Sequence, residues 1–215
     1  MPYDAICFDM DGVLLTGYHT DRSVYRQAAA ATLADFGAEY DGKPPMDLVD
    51  PDTVADIRAM CDELGIPPAA VWAYRERAAT TVENERIVAG DRTPFQDTPA
   101  LDSLDCPVGV VSNNRHGTVR FVVEHFGLPA SVVRGRFPTL DEFGRLKPDP
   151  HLLSWVLDRL DAADVLFVGD RLSDVAAAHR AGVDAALLTR GGEPPSGKHE
   201  PEHHVDSLEA VLDIQ

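Results

Sequence analysis

The stretch Ala5-Ile6-Cys7-Phe8-Asp9-Met10-Asp11-Gly12-Val13 decides the fold. Four apolar residues form the short continuous run expected of a strand buried on both faces. The run ends in two aspartates two apart, and Gly12 then permits a tight turn. The same arrangement occurs twice more: Pro107-Val-Gly-Val-Val111 ends in Ser112-Asn113-Asn114, and Val165-Leu-Phe-Val168 ends in Gly169-Asp170. Segments 131–134 and 185–188 read as further short strands. Helices are predicted over about 117–126, from Pro148 and Pro150 to Leu160, and up to Ala181, with stops at Gly127 and Gly182. Buried strands alternating with helices specify an α/β fold, a doubly wound parallel sheet. Ligands in such sheets bind beyond the carboxyl ends of the strands. Asp9, Asp11, Ser112, Asn113, Gly169 and Asp170 are therefore expected to meet in space.

The segment between the first two strands is different. Helices are expected from Arg22 to Phe36, from Pro51-Asp52 to Leu64, and from Pro67-Pro68 to about Val88, with stops at Gly37, Gly65 and Gly90. Nothing between residues 20 and 90 has strand character, so residues 16–92 read as an all-helical insert. Residues 1–15 and 93–215 make the sheet domain. Leu101 to Leu104 reads as a short helix. Residues 191–204 read as a polar loop holding His199, His203 and His204, and 205–212 as a closing strand-turn or short helix. Trp72, Tyr74 and Arg75 in the third insert helix read as core and solvated face. His19 and Arg22 lie near the start of the insert.

The chain has 215 residues, with Asp+Glu 36 against Lys+Arg 19, for a formal net charge of -17. Such a chain repels nucleic acid and anionic membranes, so neither is an expected partner. No apolar run approaches the roughly 20 residues of a membrane span. The opening Met1-Pro-Tyr-Asp-Ala-Ile-Cys-Phe has no basic n-region, and no signal or transit peptide is expected. Cys7, Cys61 and Cys106 are too few and too scattered for a disulfide framework, which makes a reducing cytoplasm the expected location. Asp outnumbers Glu by more than two to one, and Lys43, Lys147 and Lys198 are the only lysines. That balance suits a halophilic protein, because screening over about 3 Å at 1 M salt removes the self-repulsion. An ordinary acidic protein is the plainer reading. Oligomeric state stays open between monomer and dimer.

Asp9 and Asp11 just past a buried strand create a repulsion that a bound cation or a shared proton must answer. Asp170 and Asp174 add two carboxylates whose spacing of four lets both face one way on a helical turn. Clustered hard oxygens without Cys or His favour Mg²⁺ over zinc. Ser112 offers a hydroxyl, and Asn113 and Asn114 are expected to precede a helix whose free N–H groups attract anions. Lys147, in Gly144-Arg-Leu-Lys-Pro-Asp-Pro150, is a candidate anion clamp. Cation, lysine and oriented donors around a carboxylate describe a phosphoryl-transfer site.

Residues 6–13, Ile-Cys-Phe-Asp-Met-Asp-Gly-Val, resemble the first motif of the haloacid dehalogenase-like superfamily. Val110-Val-Ser-Asn113 resembles the second, Lys147-Pro-Asp-Pro the third and Val168-Gly-Asp-Arg-Leu-Ser-Asp174 the fourth. The tail Val205-Asp-Ser-Leu-Glu-Ala-Val-Leu is similar to the closing segment of phosphoglycolate-phosphatase-like members. The resemblance implies Asp9 as nucleophile forming an aspartyl-phosphate and Asp11 as general acid, then base. It implies Mg²⁺ on Asp9, the carbonyl of Asp11 and Asp170, with Asp174 a ligand through water or a partner of Lys147. Ser112, Lys147 and main-chain N–H groups near Met10 and Asn113 would take the phosphoryl oxygens of a small phosphorylated substrate. Dehalogenating members lack the second aspartate, so Asp11 favours phosphoryl transfer. The insert resembles a helical cap that closes over the substrate. Leu15-Thr16-Gly17 stands where many phosphatases of this group have Asp-Ser, and the resemblance therefore carries no named substrate. Lys43, in Gly42-Lys-Pro-Pro, is the one insert lysine available for the Schiff base of phosphonoacetaldehyde-cleaving members, and its loop context disfavours that role.

A sugar-phosphate mutase would use the same aspartates. A receiver-like signalling module is shorter and lacks such an insert, and a non-catalytic phosphate-binding relative would not need intact carboxylates. If the charge balance is an adaptation to salt, raising KCl from about 0.1 M to about 2 M raises the melting temperature by at least about 5 °C, the shift of roughly 2 kcal/mol for a chain of this size. A flat or falling melting temperature, followed by circular dichroism, would return the chain to the ordinary acidic class.

Overall fold

The structure, a computed structural model, describes residues 3–214. Strands β1 (Ala5–Phe8), β2 (Val108–Arg115), β3 (Val132–Arg136), β4 (Val165–Gly169), β5 (Asp184–Leu188) and β6 (His203–Val205) form one sheet in the order β3-β2-β1-β4-β5-β6. Every pairing is parallel. From β1 the chain winds outward through β2 and β3, then returns across β1 to β4. The β1/β4 seam is thus the switch point where a doubly wound sheet opens a crevice.

Helices α5 (His116–Phe126), α7 (His151–Leu160) and α8 (Leu172–Ala181) cover the sheet. All four β1 side chains are fully buried, and their period-2 alternation serves two cores. Ile6 and Phe8 pack with Val110, Val119 and Val168, whereas Ala5 and Cys7 pack with Leu152, Val156 and Val175. Cys7, Cys61 and Cys106 are free thiols. Among the described residues no helix is long and apolar enough to cross a membrane.

The insert folds as α1 (Arg22–Asp35), α2 (Met46–Val49), α3 (Val54–Glu63) and α4 (Pro68–Val88). Asp21 caps α1, a Thr53/Asp56 capping box starts α3, and Pro68 opens α4. Leu33, Leu48, Ile57 and Trp72 form its core, which also takes in Leu140 and Phe143 from α6 (Leu140–Phe143). The Phe143 ring lies 4.8 Å from that of Trp72.

Several elements differ from the sequence expectation. β2 does not stop at Val111. It resumes pairing past a bulge, with Arg115 opposite Arg136, so Ser112, Asn113 and Asn114 lie in the strand. The expected loop over 191–204 ends early, because His203 and His204 enter β6 beside Ala186 and Leu187. The expected helix over 101–104 is a 3-10 helix over Thr98–Ser103, and the tail closes in a second one over Glu209–Asp213. The single turns α2 and α6 are too short to register as a periodicity.

Arg75 is not on a solvated face. It is buried, with Nε 3.0 Å from Leu48 O and Nη2 2.5 Å from Val49 O, and it pairs with Glu76. Glu76 also receives Arg136 Nε at 2.8 Å, joining α4 to the end of β3. Burial alone would raise the Glu76 carboxyl, but Arg136 and Arg75 hold it down, from 4.5 to about 2. A depressed carboxylate contributes stability that is complete above its unfolded pKa and is lost as pH falls through the folded one. Glu76→Gln, which leaves two buried guanidinium groups without a counter-charge, is expected to cost about 3–5 kcal/mol in urea unfolding at neutral pH. The difference from the unsubstituted protein should narrow between about pH 4.5 and about pH 2.

Candidate active site

Asp9 follows β1 directly, and its N–H donates to Val168 O at 2.9 Å, which fixes it at the β1/β4 seam. Its Oδ1 accepts the Met10 N–H at 2.8 Å and lies 3.0 Å from Lys147 Nζ. The same ammonium lies 2.7 Å from Asp174 Oδ1, so one cation bridges a carboxylate at the end of β1 and one in the first turn of α8. Lys147 is held in turn by Asn113, whose Oδ1 accepts the Lys147 N–H at 2.8 Å and whose Nδ2 donates to Lys147 O at 3.4 Å. The Phe167 ring lies 5.2 Å from the ammonium. Asp174 occupies the first turn of α8, where its Oδ2 accepts the Arg171 N–H at 3.0 Å. Gly169 makes that approach possible, since a Cβ there would overlap the Asp174 carboxylate.

Burial pushes the Asp9 carboxyl up to about 7, with Asp174 and Asp11 reinforcing the shift against the opposing pull of Lys147. Burial works against the charge on Lys147, but Asp174 and Asp9 outweigh it and hold the ammonium above its ordinary range. Burial, then Asp174, raises Asp170 to about 6. Asp9, Asp170 and Asp174 each offer an oxygen within 4.8 Å of the others. Asp170 Oδ1 is buried with no hydrogen-bond partner, the kind of orphan acceptor a cation would satisfy. When all three are ionised, the carboxylates exceed the one ammonium by two negative charges. A divalent oxygen-liganded ion fits this donor set in charge and hardness. Gly12, at φ +81°, brings the chain so close that a Cβ would meet Asp170 Cγ at 2.8 Å.

Asp11 points to a different set of groups. Its Oδ1 accepts Arg92 Nη2 at 2.6 Å and its Oδ2 accepts Asn114 Nδ2 at 3.0 Å. Ser112 is buried, and its Oγ accepts the Asn114 N–H at 3.2 Å. Asp9, Asp11, Ser112, Asn113, Lys147 and Asp174 all line one cavity of about 140 Å³. Asp170 borders the carboxylate cluster, and the Met10 side chain is buried in the core while its N–H serves Asp9. Of the insert residues considered from sequence, His19 reaches the cavity, whereas Trp72, Tyr74, Arg75, Arg22 and Lys43 are not among its lining residues. Arg22 is exposed and pairs with Asp50, and Lys43 lies in an exposed bend.

Sequence reasoning missed Arg92, Arg136 and the role of Asn114. Arg136 lines the cavity and donates to Asn113 O as well as pairing with Glu76. One signal was available: Arg134 and Arg136 alternate within a short apolar strand, and buried guanidinium groups need acidic partners. Nothing local marks Arg92, whose partners lie 9 to 81 residues away.

A family model described as haloacid dehalogenase-like hydrolase matches residues 3–182. A phosphoglycolate phosphatase of Vibrio vulnificus is 29% identical over 97% of this chain and 94% of its own length. Among solved structures, CbbY from Rhodobacter sphaeroides in complex with phosphate superposes with a TM-score of 0.62 at 20% identity, covering 97% of this chain and 96% of that one. The L-2-haloacid dehalogenase RSc1362 superposes nearly as well, with a TM-score of 0.59 at 18% identity, over 99% and 98%. The shared architecture therefore does not separate the two chemistries, and the side chains must.

Lys147→Met leaves Asp9 and Asp174 facing each other without a counter-charge. In EDTA at neutral pH it is expected to cost about 3–5 kcal/mol in urea unfolding. Asp9, raised to about 7 even beside Lys147, moves higher without it and is relieved by protonation, so the loss should be largest above that pH and shrink as pH falls through about 7. A loss that does not depend on pH would show that Lys147 acts through packing instead.

Proposed function

The chain belongs to the haloacid dehalogenase-like hydrolases, and on that premise we propose a Mg²⁺-dependent phosphatase that acts on a small phosphorylated metabolite through an aspartyl-phosphate on Asp9. The observation that carries the reading is the desolvated Asp9–Lys147–Asp174 bridge, with a buried Asp170 oxygen beside it that receives no hydrogen bond. With a divalent cation offsetting its carboxylates, such a site would set positive charge beside Lys147 where a phosphoryl group gathers negative charge.

In this reading Asp9 attacks phosphorus as the ester P–O bond breaks, and Asp11 passes its proton to the departing alkoxide. Asp11 then accepts a proton from the water that attacks the aspartyl-phosphate, returning Asp9 to its free form. Lys147 and the Ser112 hydroxyl hold phosphoryl oxygens during both steps. Asp9, Asp170 and the carbonyl of Asp11, with Asp174 alongside, would hold Mg²⁺, whose charge offsets the carboxylates and polarises the phosphoryl oxygens. The pairing of Asp9 with Asp11 supports phosphoryl transfer over carbon–halogen cleavage. The insert serves as the cap that excludes water.

The cavity of about 140 Å³ supports a small substrate. It has room for about five waters by liquid volume, enough for a phosphoryl group and a short organic tail. The full-length similarity to phosphoglycolate phosphatases puts phosphoglycolate first on an assay panel.

Release of inorganic phosphate from short phosphomonoesters should require Mg²⁺ and stop with EDTA. Asp9→Asn should lower turnover by at least about 10³-fold, the scale of losing a nucleophile. Mg²⁺ at about 100 times its dissociation constant should also stabilise the protein by about 2.7 kcal/mol, and Asp170→Asn should remove most of that gain. Turnover that survives EDTA or Asp9→Asn would overturn the reading.

A further inference from the structure

Arg92 lies just beyond α4, where the insert returns to the sheet domain, and its guanidinium has a partner in each of the parts that meet there. Nε donates to Thr16 O at 2.7 Å and Nη2 to Gly17 O at 3.0 Å, both in the outgoing linker. Nη1 donates to Glu83 Oε1 in α4 at 2.8 Å. Nη2 also donates to Asp11 Oδ1 at 2.6 Å. The two linkers are themselves joined, with Thr16 N–H on Thr93 O at 2.9 Å and Thr93 N–H on Thr16 Oγ1 at 3.0 Å.

Arg92 does not line the cavity that holds Asp9 and Lys147. It approaches Asp11 from the other side, from a groove of about 730 Å³ bordered by Thr16, Gly17, Glu83 and Arg92 itself. Its hydrogen bond to a residue that lines that cavity is the one to Asp11, so it acts through Asp11. From that side it fixes one Asp11 oxygen while Asn114 fixes the other. Glu83 is a shared anchor: its Oε2 accepts Thr20 Oγ1 at 2.5 Å and pairs with Arg115, and Thr20 lies 3.4 Å from Asn114 Nδ2. Both donors to Asp11 thus trace back to one buried carboxylate on the insert. A guanidinium can serve all of these acceptors at once because its donors form a rigid planar fork, which an ammonium cannot reproduce.

We propose that Arg92 is a positioning residue that sets the orientation of the Asp11 carboxyl and makes it depend on the seating of α4 through Glu83. The assignment rests on the phosphatase reading, in which Asp11 protonates the leaving oxygen. Positioned proton transfer contributes about 10²–10⁴-fold, and only where the leaving group needs the proton. An alkoxide needs it, whereas p-nitrophenolate departs without it. A disturbed Asp11 is therefore exposed by the choice of leaving group.

The test compares Arg92→Gln and Arg92→Lys with the unsubstituted protein on phosphoglycolate, glycerol 2-phosphate and p-nitrophenyl phosphate, with thermal unfolding of each protein followed in parallel. Arg92→Gln is expected to lower kcat on the alkyl esters by about 10- to 100-fold, to leave p-nitrophenyl phosphate within about threefold, and to leave KM nearly unchanged. Arg92→Lys should recover part of the alkyl-ester rate, and it carries the comparison alone if the glutamine variant does not fold. Equal losses on all three esters, a change confined to KM, or no change would overturn the assignment while leaving the phosphatase reading intact. Release of phosphate from none of these esters by the unsubstituted protein would overturn both.

Discussion

One desolvated ammonium, Lys147 Nζ, holds the Asp9 and Asp174 carboxylates together, and the surrounding elements are arranged to keep it there. The carboxylates come from the end of β1 and the first turn of α8 and would otherwise repel at short range in a medium that screens poorly. Asn113 clamps the lysine main chain, Gly169 leaves room for Asp174, and hydrogen bonding across β1/β4 fixes where Asp9 emerges. Each is a structural requirement that also serves chemistry. The cluster is buried at one edge of the cavity, and its carboxylates outnumber its ammonium.

The seam between the helical insert and the sheet is built from the same kind of interaction. Glu76 meets Arg136, Glu83 meets Arg115 and Arg92, and Arg92 meets Asp11, all with little exposure. Buried ion pairs bring modest net stability because desolvation offsets most of the attraction, but they are intolerant of displacement. A seam of this type defines one seating of the insert, reinforced by Leu140 and Phe143 in its apolar core. The arrangement also redistributes charge. Five basic residues, Arg75, Arg115, Arg134, Arg136 and Lys147, are buried with five acidic ones, Asp9, Glu76, Glu83, Glu142 and Asp174, so the net charge of -17 is carried by the outer surface. The field around the molecule opposes an anionic substrate until it reaches the cavity, where Lys147, Arg136 and Arg171 lie.

The fold was legible wherever a local pattern was also the tertiary determinant. The all-apolar β1 and β4 could only be strands buried on both faces, and the glycine and proline punctuation of the insert marked three of its helices. Asp9, Asp11, Ser112, Asn113 and Asp170 stood out because a parallel sheet delivers the residues at its strand ends to one crevice. Lys147 stood out by its rarity and by its motif. Arg75 was misread because amphipathic reasoning assigns a charged residue to the wet face and does not see a buried partner on another element. β6 was missed because three residues at a sheet edge carry too little pattern to distinguish them from a loop.

The sequence by itself determined the sheet, the insert, the order of the motifs and which carboxylates would cluster. Those properties follow from local periodicity and from the connection rules of parallel sheets. Only the tertiary structure decided how the charges pair: that Asn113 grips Lys147, that Asp174 shares that ammonium with Asp9, and that Asp11 is held by Arg92 and Asn114. The physical reason is that ion pairing is set by distance and desolvation between groups far apart in the chain, and neither leaves a local trace in the residues that make the pair.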